Sequence, residues 1–177
     1  MPTNVSDEMR GALGTLLTRR ISYPVAESDI RKWALAVYWP EKPPREFLDA
    51  ERAPEDFNPF AWAVARSEAG GRPEPDAAVA GSEAGGRPEP DANSADRTER
   101  LAGVPGPGLR FQLNGGLETE YGVPIRPGDV ITSENRLDGY SEREGKLGLM
   151  LFTVTEDTWT NQDRAVVKRS RMTLIRY

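Results

Sequence analysis

The strongest constraint lies in the C-terminal segment Gly108–Tyr177, where β-prone runs are separated only by turn-forming residues. Within Leu147–Trp159, Leu149, Leu151, Thr153 and Thr155 alternate with Met150, Phe152 and Val154, the period of a strand with two distinct faces. Glu144-Gly145 or Gly145-Lys146 supplies a hairpin connection before this strand, and Asn161–Asp163 turns the chain after it. Val130–Tyr140 is strand-like upstream. Arg164–Tyr177 returns as the last strand, with Ala165, Val167, Met172, Leu174 and Ile175 to bury. Three long neighbours joined this tightly form an antiparallel meander. Ahead of it, Leu109–Leu113 alternates and Asn114-Gly115 begins a turn. Leu117–Ile125 is weakly extended, and Arg126–Asp129 is a proline–glycine turn.

The first block, Met1–Arg66, reads mainly helical. Asp7–Arg20 predicts a short amphipathic helix with Met9, Leu13, Leu16 and Leu17 along one side, weakened by Gly11 and Gly14. Ile21–Val25 alternates like a short strand. Ser28 caps a helix through Tyr38, whose Ile30, Trp33, Ala34 and Val37 fall at i, i+3, i+4 and i+7. Trp39–Pro44 stops that helix, because proline removes donors and restricts its predecessor. One turn of helix fits Arg45–Ala50. Asn58 before Pro59 then opens a helix with Phe60, Trp62 and Val64, apolar nearly all round and therefore buried. Helices first and strands afterwards indicate an α+β fold with a buried helix against one sheet face.

Between the blocks the composition changes. The eleven residues Ser67–Ala77, SEAGGRPEPDA, recur at Ser82–Ala92. A repeat rich in glycine, proline and carboxylates, and without aromatics, buries too little apolar surface to offset its ordering entropy. Residues 67–103 are expected to form a disordered low-complexity insertion within a single domain spanning residues 1–177, the repeat being a duplication in a tolerant surface loop.

Two absences bound the chemistry. The chain has no cysteine, which removes disulfides, thiolate metal sites and a cysteine nucleophile, and no histidine. Without imidazole there is no Ser-His-Asp triad and no histidine metal ligand, so neither a metal site nor a self-contained imidazole base is expected. The formal net charge is −5, of which Arg66–Arg100, with five Arg and eight Asp or Glu, supplies −3. The remainder is nearly neutral and lacks a basic stripe, against a nucleic-acid partner. No segment has the apolar length of a membrane span, and the N-terminus lacks a basic start followed by an apolar run. The expectation is a soluble, cytoplasmic protein.

Several segments in one order carry a resemblance. Tyr23–Val37 (YPVAESDIRKWALAV) is followed by a proline-rich link ending Phe47-Leu48-Asp49, then by Ala53-Pro54-Glu55-Asp56-Phe57. Further on come Leu113-Asn114-Gly115-Gly116, Pro124–Asp129 (PIRPGD), Tyr140–Gly148 (YSEREGKLG) and the closing strand Arg169–Arg176. This set, covering nearly everything outside the insertion, resembles the N-terminal half-domain of the MaoC-like dehydratase and enoyl-CoA hydratase family. The resemblance implies a single hot-dog fold, a central buried helix wrapped by a curved antiparallel sheet. It implies an acyl-CoA or acyl-carrier-protein thioester as substrate and no separate cofactor.

Active members of that family use an Asp/His pair, with histidine as base, aspartate positioning the water and a backbone N–H polarising the thioester carbonyl. This chain departs from the pattern: Phe47 stands near where a titrating ring is expected, and Asn114 stands in the LHGG-like segment. Asparagine hydrogen-bonds but takes no proton at neutral pH. The resemblance therefore implies no catalytic residue here. It implies a substrate-accommodating half, paired with a histidine-containing MaoC-like catalytic hot-dog subunit in a heterodimer or heterotetramer, for a bulky acyl-CoA such as a steroid side chain. Asp56, Phe57, Asn58, Phe60, Trp62, Asn114, Gly115 and Gly116 are the candidate substrate-binding residues. Each has a structural alternative: capping and core packing for Asp56–Asn58, core aromatics for Trp33 and Trp62, a turn for Asn114–Gly116. Glu118 and Glu120 share one strand face, which suits a solvated surface or paired carboxylates. Arg169, Arg171 and Arg176 suit surface charges or a CoA phosphate contact. Two other function classes stay open: a stand-alone thioesterase using Asp49, Glu55 or Asp56, and an acyl-binding scaffold.

Overall fold

A computed structural model describes residues 3–61 and 94–177. In chain order they form α1 (Asp7–Gly11), β1 (Leu16–Ile21), α2 (Glu27–Val37), α3 (Arg45–Leu48), α4 (Arg97–Leu101), β2 (Gln112–Tyr121), β3 (Thr132–Gly145), β4 (Gly148–Thr160) and β5 (Val166–Arg176). The five strands make one antiparallel sheet in the order β1-β3-β4-β5-β2. The meander expected from the sequence is β3-β4-β5, closed by turns at Lys146-Leu147 and Gln162-Asp163. This curved sheet with few helices is the hot-dog architecture.

One sheet face is organised around two apolar clusters. At one end Ile30 from α2 packs with Ala50, Ala53, Phe57 and Phe60 onto Ile131, Trp159 and Val167. At the other end Val5 and Met9 pack on Leu151, with Val104, Leu109 and Tyr140 beside them. Ile30 and Ala34 are the fully buried pair of α2, whereas Val37, also expected in the core, is exposed. The opposite sheet face carries ion pairs. Arg19 meets Glu134 at 3.5 Å, and Arg169 and Arg171 meet Glu156 at 3.3 and 2.9 Å.

The structure corrects several sequence expectations. The helix predicted over Asp7–Arg20 stops at Gly11, and Leu16–Ile21 pairs with β3 as a strand. Gly14 explains the break: its φ of 82° is left-handed, and its N–H donates to the Leu137 carbonyl at 2.8 Å. Ser6, whose hydroxyl accepts from Met9 N, caps this short helix. Ser28 is no cap, because α2 begins at Glu27 with Ala26 before it. Phe57–Ala61 turn rather than form a helix, and the rest of that predicted helix, including Trp62, lies outside the described residues. Asn114-Gly115 is no turn either. β2 runs straight through it, with a bulge between Asn114 and Gly116, where Gly116 takes a φ of 141°. On β5 only Val167 of the expected core set is fully buried, and Met172 is exposed.

The expected insertion is corrected at its C-terminal end. Residues 67–93 lie outside the described residues, but Ser94–Gly103 are ordered and contain α4. One residue anchors them. Glu99 and Arg176 are both 0% exposed, and the Arg176 guanidinium donates to both Glu99 oxygens at 2.8 and 2.6 Å. Arg176 Nη2 also donates to Thr153 Oγ1 and Nη1 to the Ala95 carbonyl, while Tyr140 Oη donates to Glu99. Burial alone would push the Glu99 carboxyl up. The hydrogen bonds and charge of Arg176, with the Tyr140 hydroxyl, outweigh it and hold the carboxyl below its usual range. Burial first, and the Glu99 acceptor second, push the Tyr140 hydroxyl well above the ordinary tyrosine value. Arg176 is thus a core residue and not the surface cation expected from its strand.

Candidate functional site

The sheet end at Tyr121 forms the candidate site. The loop after α3 lays Ala53–Phe60 across Ile125, Trp159 and Val167, the Ala53 N–H donating to the Ile125 carbonyl at 2.8 Å. Residues 122–125 form the other wall and run into the proline–glycine turn. Asp129 accepts from Arg126 N at 2.8 Å and from Gln162 Nε2 at 2.9 Å, as expected of turn chemistry. Between these walls lies a cavity of about 180 Å³ with Phe57, Ile125, Trp159 and Val167 inside and Arg52, Glu55, Tyr121 and Lys168 around it. A second, wider hollow of about 430 Å³ adjoins it, sharing Arg52, Pro54, Glu55 and Tyr121 and reaching Tyr38, Phe47 and Asp56. Together they make a groove with an apolar floor and a polar lip, the usual form of a small-molecule site.

Each polar group in the groove has a definite setting. Arg52 forks onto Glu46 at 2.8 and 3.1 Å and lies over the Phe47 ring. Asp56 Oδ1 accepts from the Trp33 indole at 3.2 Å, and the Trp33 ring meets Phe57 edge-on. Lys168, opposite Trp159 across the β4–β5 ladder, places Nζ 3.5 Å from the centre of the Trp159 ring. Burial pushes this amine below its ordinary value, with Arg20 acting in the same direction and Asp157 and Asp56 against it. Asp157 itself accepts from Ser133 Oγ at 2.8 Å and from the Trp159 indole at 2.9 Å.

The expected substrate-binding residues are divided between two places. Asp56 and Phe57 reach the groove. Asn58 turns inward on its own loop, its Oδ1 accepting from Phe60 N at 3.0 Å, and Phe60 packs edge-on against Trp159. Asn114, Gly115 and Gly116 are exposed at the far end of β2, seven residues or roughly 23 Å from Tyr121 along an extended chain. Among the three carboxylates considered for a thioesterase, Asp49 is tied to Arg45 at 3.0 Å and Asp56 to Trp33. Glu55 alone stands at the mouth of both hollows. Among the described residues no group of carboxylates could hold a metal ion. None of the described helices is long and apolar enough to cross a membrane.

The comparisons with known proteins match the architecture. The family described as "FAS1-like, dehydratase domain region" matches residues 12–170. The chain belongs to the MaoC-like dehydratase family. Among solved structures this family member is similar to the ChsH1-ChsH2 complex from Mycobacterium tuberculosis. That match has 16% identity and a TM-score of 0.55, covering 98% of this chain and 89% of that one. A MaoC-like dehydratase from Rhodospirillum rubrum matches at 17% identity and a TM-score of 0.46, covering 93% of this chain and 92% of that one. The R-hydratase PhaJ1 from Pseudomonas aeruginosa matches at 13% identity and a TM-score of 0.46, covering 92% and 79%. No curated protein matches the chain.

Three residues of the groove were not singled out in the sequence. Arg52, Tyr121 and Lys168 look like ordinary surface positions there. The available signal for Lys168 was its phase on an alternating strand beside a tryptophan-bearing neighbour.

Proposed function

We propose that this chain is the non-catalytic, substrate-accommodating subunit of a heteromeric MaoC-like enoyl-CoA hydratase or 3-hydroxyacyl thioester dehydratase. The absence of histidine from all 177 residues carries this reading. Adding water across a 2-enoyl thioester, or removing it, needs a group that exchanges a proton near neutral pH beside the thioester. Imidazole does this with no pKa tuning, and these 177 residues do not supply it. The supplier is a histidine-containing MaoC-like hot-dog subunit, joined in a heterodimer or heterotetramer. The exposed edge of β2 supports such a pairing, as does the fold shared with a solved two-component complex. In the assembly this chain's apolar groove, with Asp56 and Phe57 along it, receives acyl surface, while Asn114–Gly116 lie on the edge strand that meets the partner. A bulky acyl-CoA suits a half-domain relieved of the catalytic pair, and a cytoplasmic setting suits such a substrate.

The test is reconstitution. The purified chain alone is expected to hydrate neither crotonyl-CoA nor bulkier enoyl-CoAs, followed by loss of the conjugated enoyl absorbance. Co-purification with a histidine-bearing MaoC-like subunit is expected to give activity toward bulky enoyl-CoAs above that of the partner alone. Brisk hydration by the lone chain would overturn the reading, and so would a partner whose rate and substrate range ignore this chain.

A further inference from the structure

The inner cavity of the groove contains a donor that meets no acceptor among the described residues. Lys168 Nζ rests on the Trp159 ring and makes no hydrogen bond or ion pair with a described residue. An ammonium offers three N–H groups and accepts nothing, so whatever meets it must present an acceptor. The missing partner is not a countercharge. The charged groups acting on Lys168 are Asp157 from β4, Arg20 from β1 and Asp56 from the loop across the sheet end, which makes two carboxylates against two cations. Both carboxylates already hold indole N–H groups. A carboxylate ligand would add negative charge beside Glu55 at the mouth, where Arg52 is already forked onto Glu46.

The floor of the cavity is apolar, made by Phe57, Ile125, Trp159 and Val167, whereas Arg52, Glu55 and Tyr121 stay at its rim. Its volume of about 180 Å³ compares with the roughly 150 Å³ dry cavity that holds benzene. A six-membered ring with one oxygen therefore fits. We propose that this cavity binds a compact apolar molecule, or the end of a larger one, that carries a single neutral carbonyl oxygen. The oxygen accepts from Lys168 Nζ, and the apolar body lies on Phe57, Ile125 and Trp159. The site needs neither a thioester nor a partner subunit, so it stands or falls apart from the hydratase reading.

The experiment uses the full chain, labelled with ¹⁵N and titrated separately with cyclohexanone and with cyclohexanecarboxylate at neutral pH. Cyclohexanone is expected to shift the Ile125 and Val167 amides and the Trp159 indole N–H saturably, and to bind at least about tenfold more tightly than the carboxylate. Lys168→Met is expected to weaken ketone binding about tenfold or more, the effect of losing one hydrogen bond to a charged donor. Lys168→Arg is expected to retain most of the affinity. A carboxylate that binds as well as the ketone overturns the proposal, as do shifts that miss these residues or an unchanged affinity in Lys168→Met. The ketone-to-carboxylate ratio uses the unaltered chain, so it decides the matter even if a variant fails to fold. Failure of reconstitution with a catalytic subunit would leave these shifts in place.

Discussion

Arg176 sets the energetics of the cluster around Leu151. Its fork onto Glu99 joins β5 to α4 across 77 residues of chain, and neither group touches solvent. A buried pair like this is expensive to break and cheap to replace, because a lone charge left inside has no compensation. Glu99→Ala is therefore expected to lower unfolding stability by about 3–5 kcal/mol in urea denaturation. The double variant Glu99→Leu with Arg176→Met should lose less than either single one. The pH dependence follows from the direction of the Glu99 shift. Its carboxyl is held below the ordinary range in the folded chain, so the contribution is complete above that range and is lost as pH falls through the folded value. The stability gap between the unaltered chain and Glu99→Gln is expected to narrow on acidification below about pH 4, near the reference carboxylate value. A gap that widens there would contradict the assignment.

At the scale of elements, the two ends of β2 behave differently. Gly122, just past the strand, sits where a Cβ would strike the Val166 backbone carbonyl, and backbone cannot move aside as a side chain can. Gly122→Ala is expected to destabilise by about 1–3 kcal/mol and to disturb the Tyr121 lip, read as a lower thermal midpoint. At Gly115, by contrast, a Cβ would first meet the Ile175 and Thr173 side chains, which can rotate. The β3-β4-β5 meander was legible because alternation and turn residues are local signals. The N-terminal strand was not, because Leu13, Leu16 and Leu17 satisfy helical spacing while a backbone bond from Gly14 to Leu137 decides the matter from far along the chain. α4 was hidden for the same reason: its decisive residue is an acid whose partner is remote. Of the eight candidate substrate-binding residues, two, Asp56 and Phe57, line the groove. Asp56 and Phe57 follow from the loop's position in the family pattern, whereas Lys168 gains meaning only when strand register sets it on Trp159. The repeat lies outside the described residues. Its sequence still makes a prediction, since deleting one fifteen-residue unit, residues 67–81, keeps one copy of a motif too poor in apolar residues to be expected in a core. Loop closure changes by less than about 1 kcal/mol for such a cut. An unchanged urea midpoint is expected, and a large loss would mean that the repeat packs against the domain.

For the whole molecule the proposed assembly turns on which sheet edge is open to a partner. β1 is a short edge of six residues, including Thr18, Arg19 and Arg20, and its pairing with β3 is broken by an irregularity. Charge and shortness are what keep edge strands from joining other sheets. β2 lacks that protection. Among the described residues its ten residues pair only with β5, nearly all are exposed, and Leu113, Leu117 and Tyr121 are 52%, 67% and 47% accessible. Its acids, Glu118 and Glu120, lie opposite Arg171 and Arg169 of the same sheet, so they are poorly placed to repel a second sheet. Extension through β2 would bring the Tyr121 groove close to the junction, which is where the proposed function needs an acyl group to pass. Leu117→Lys places a charge in the middle of this edge without touching the core. The variant is expected to keep its unfolding midpoint within about 0.5 kcal/mol, as surface substitutions do. It should nevertheless fail to co-elute with a histidine-bearing MaoC-like subunit in size-exclusion chromatography. The matching change on the other edge, Leu16→Lys, should leave that association intact. If Leu16→Lys blocks assembly and Leu117→Lys does not, the sheet joins its partner through β1.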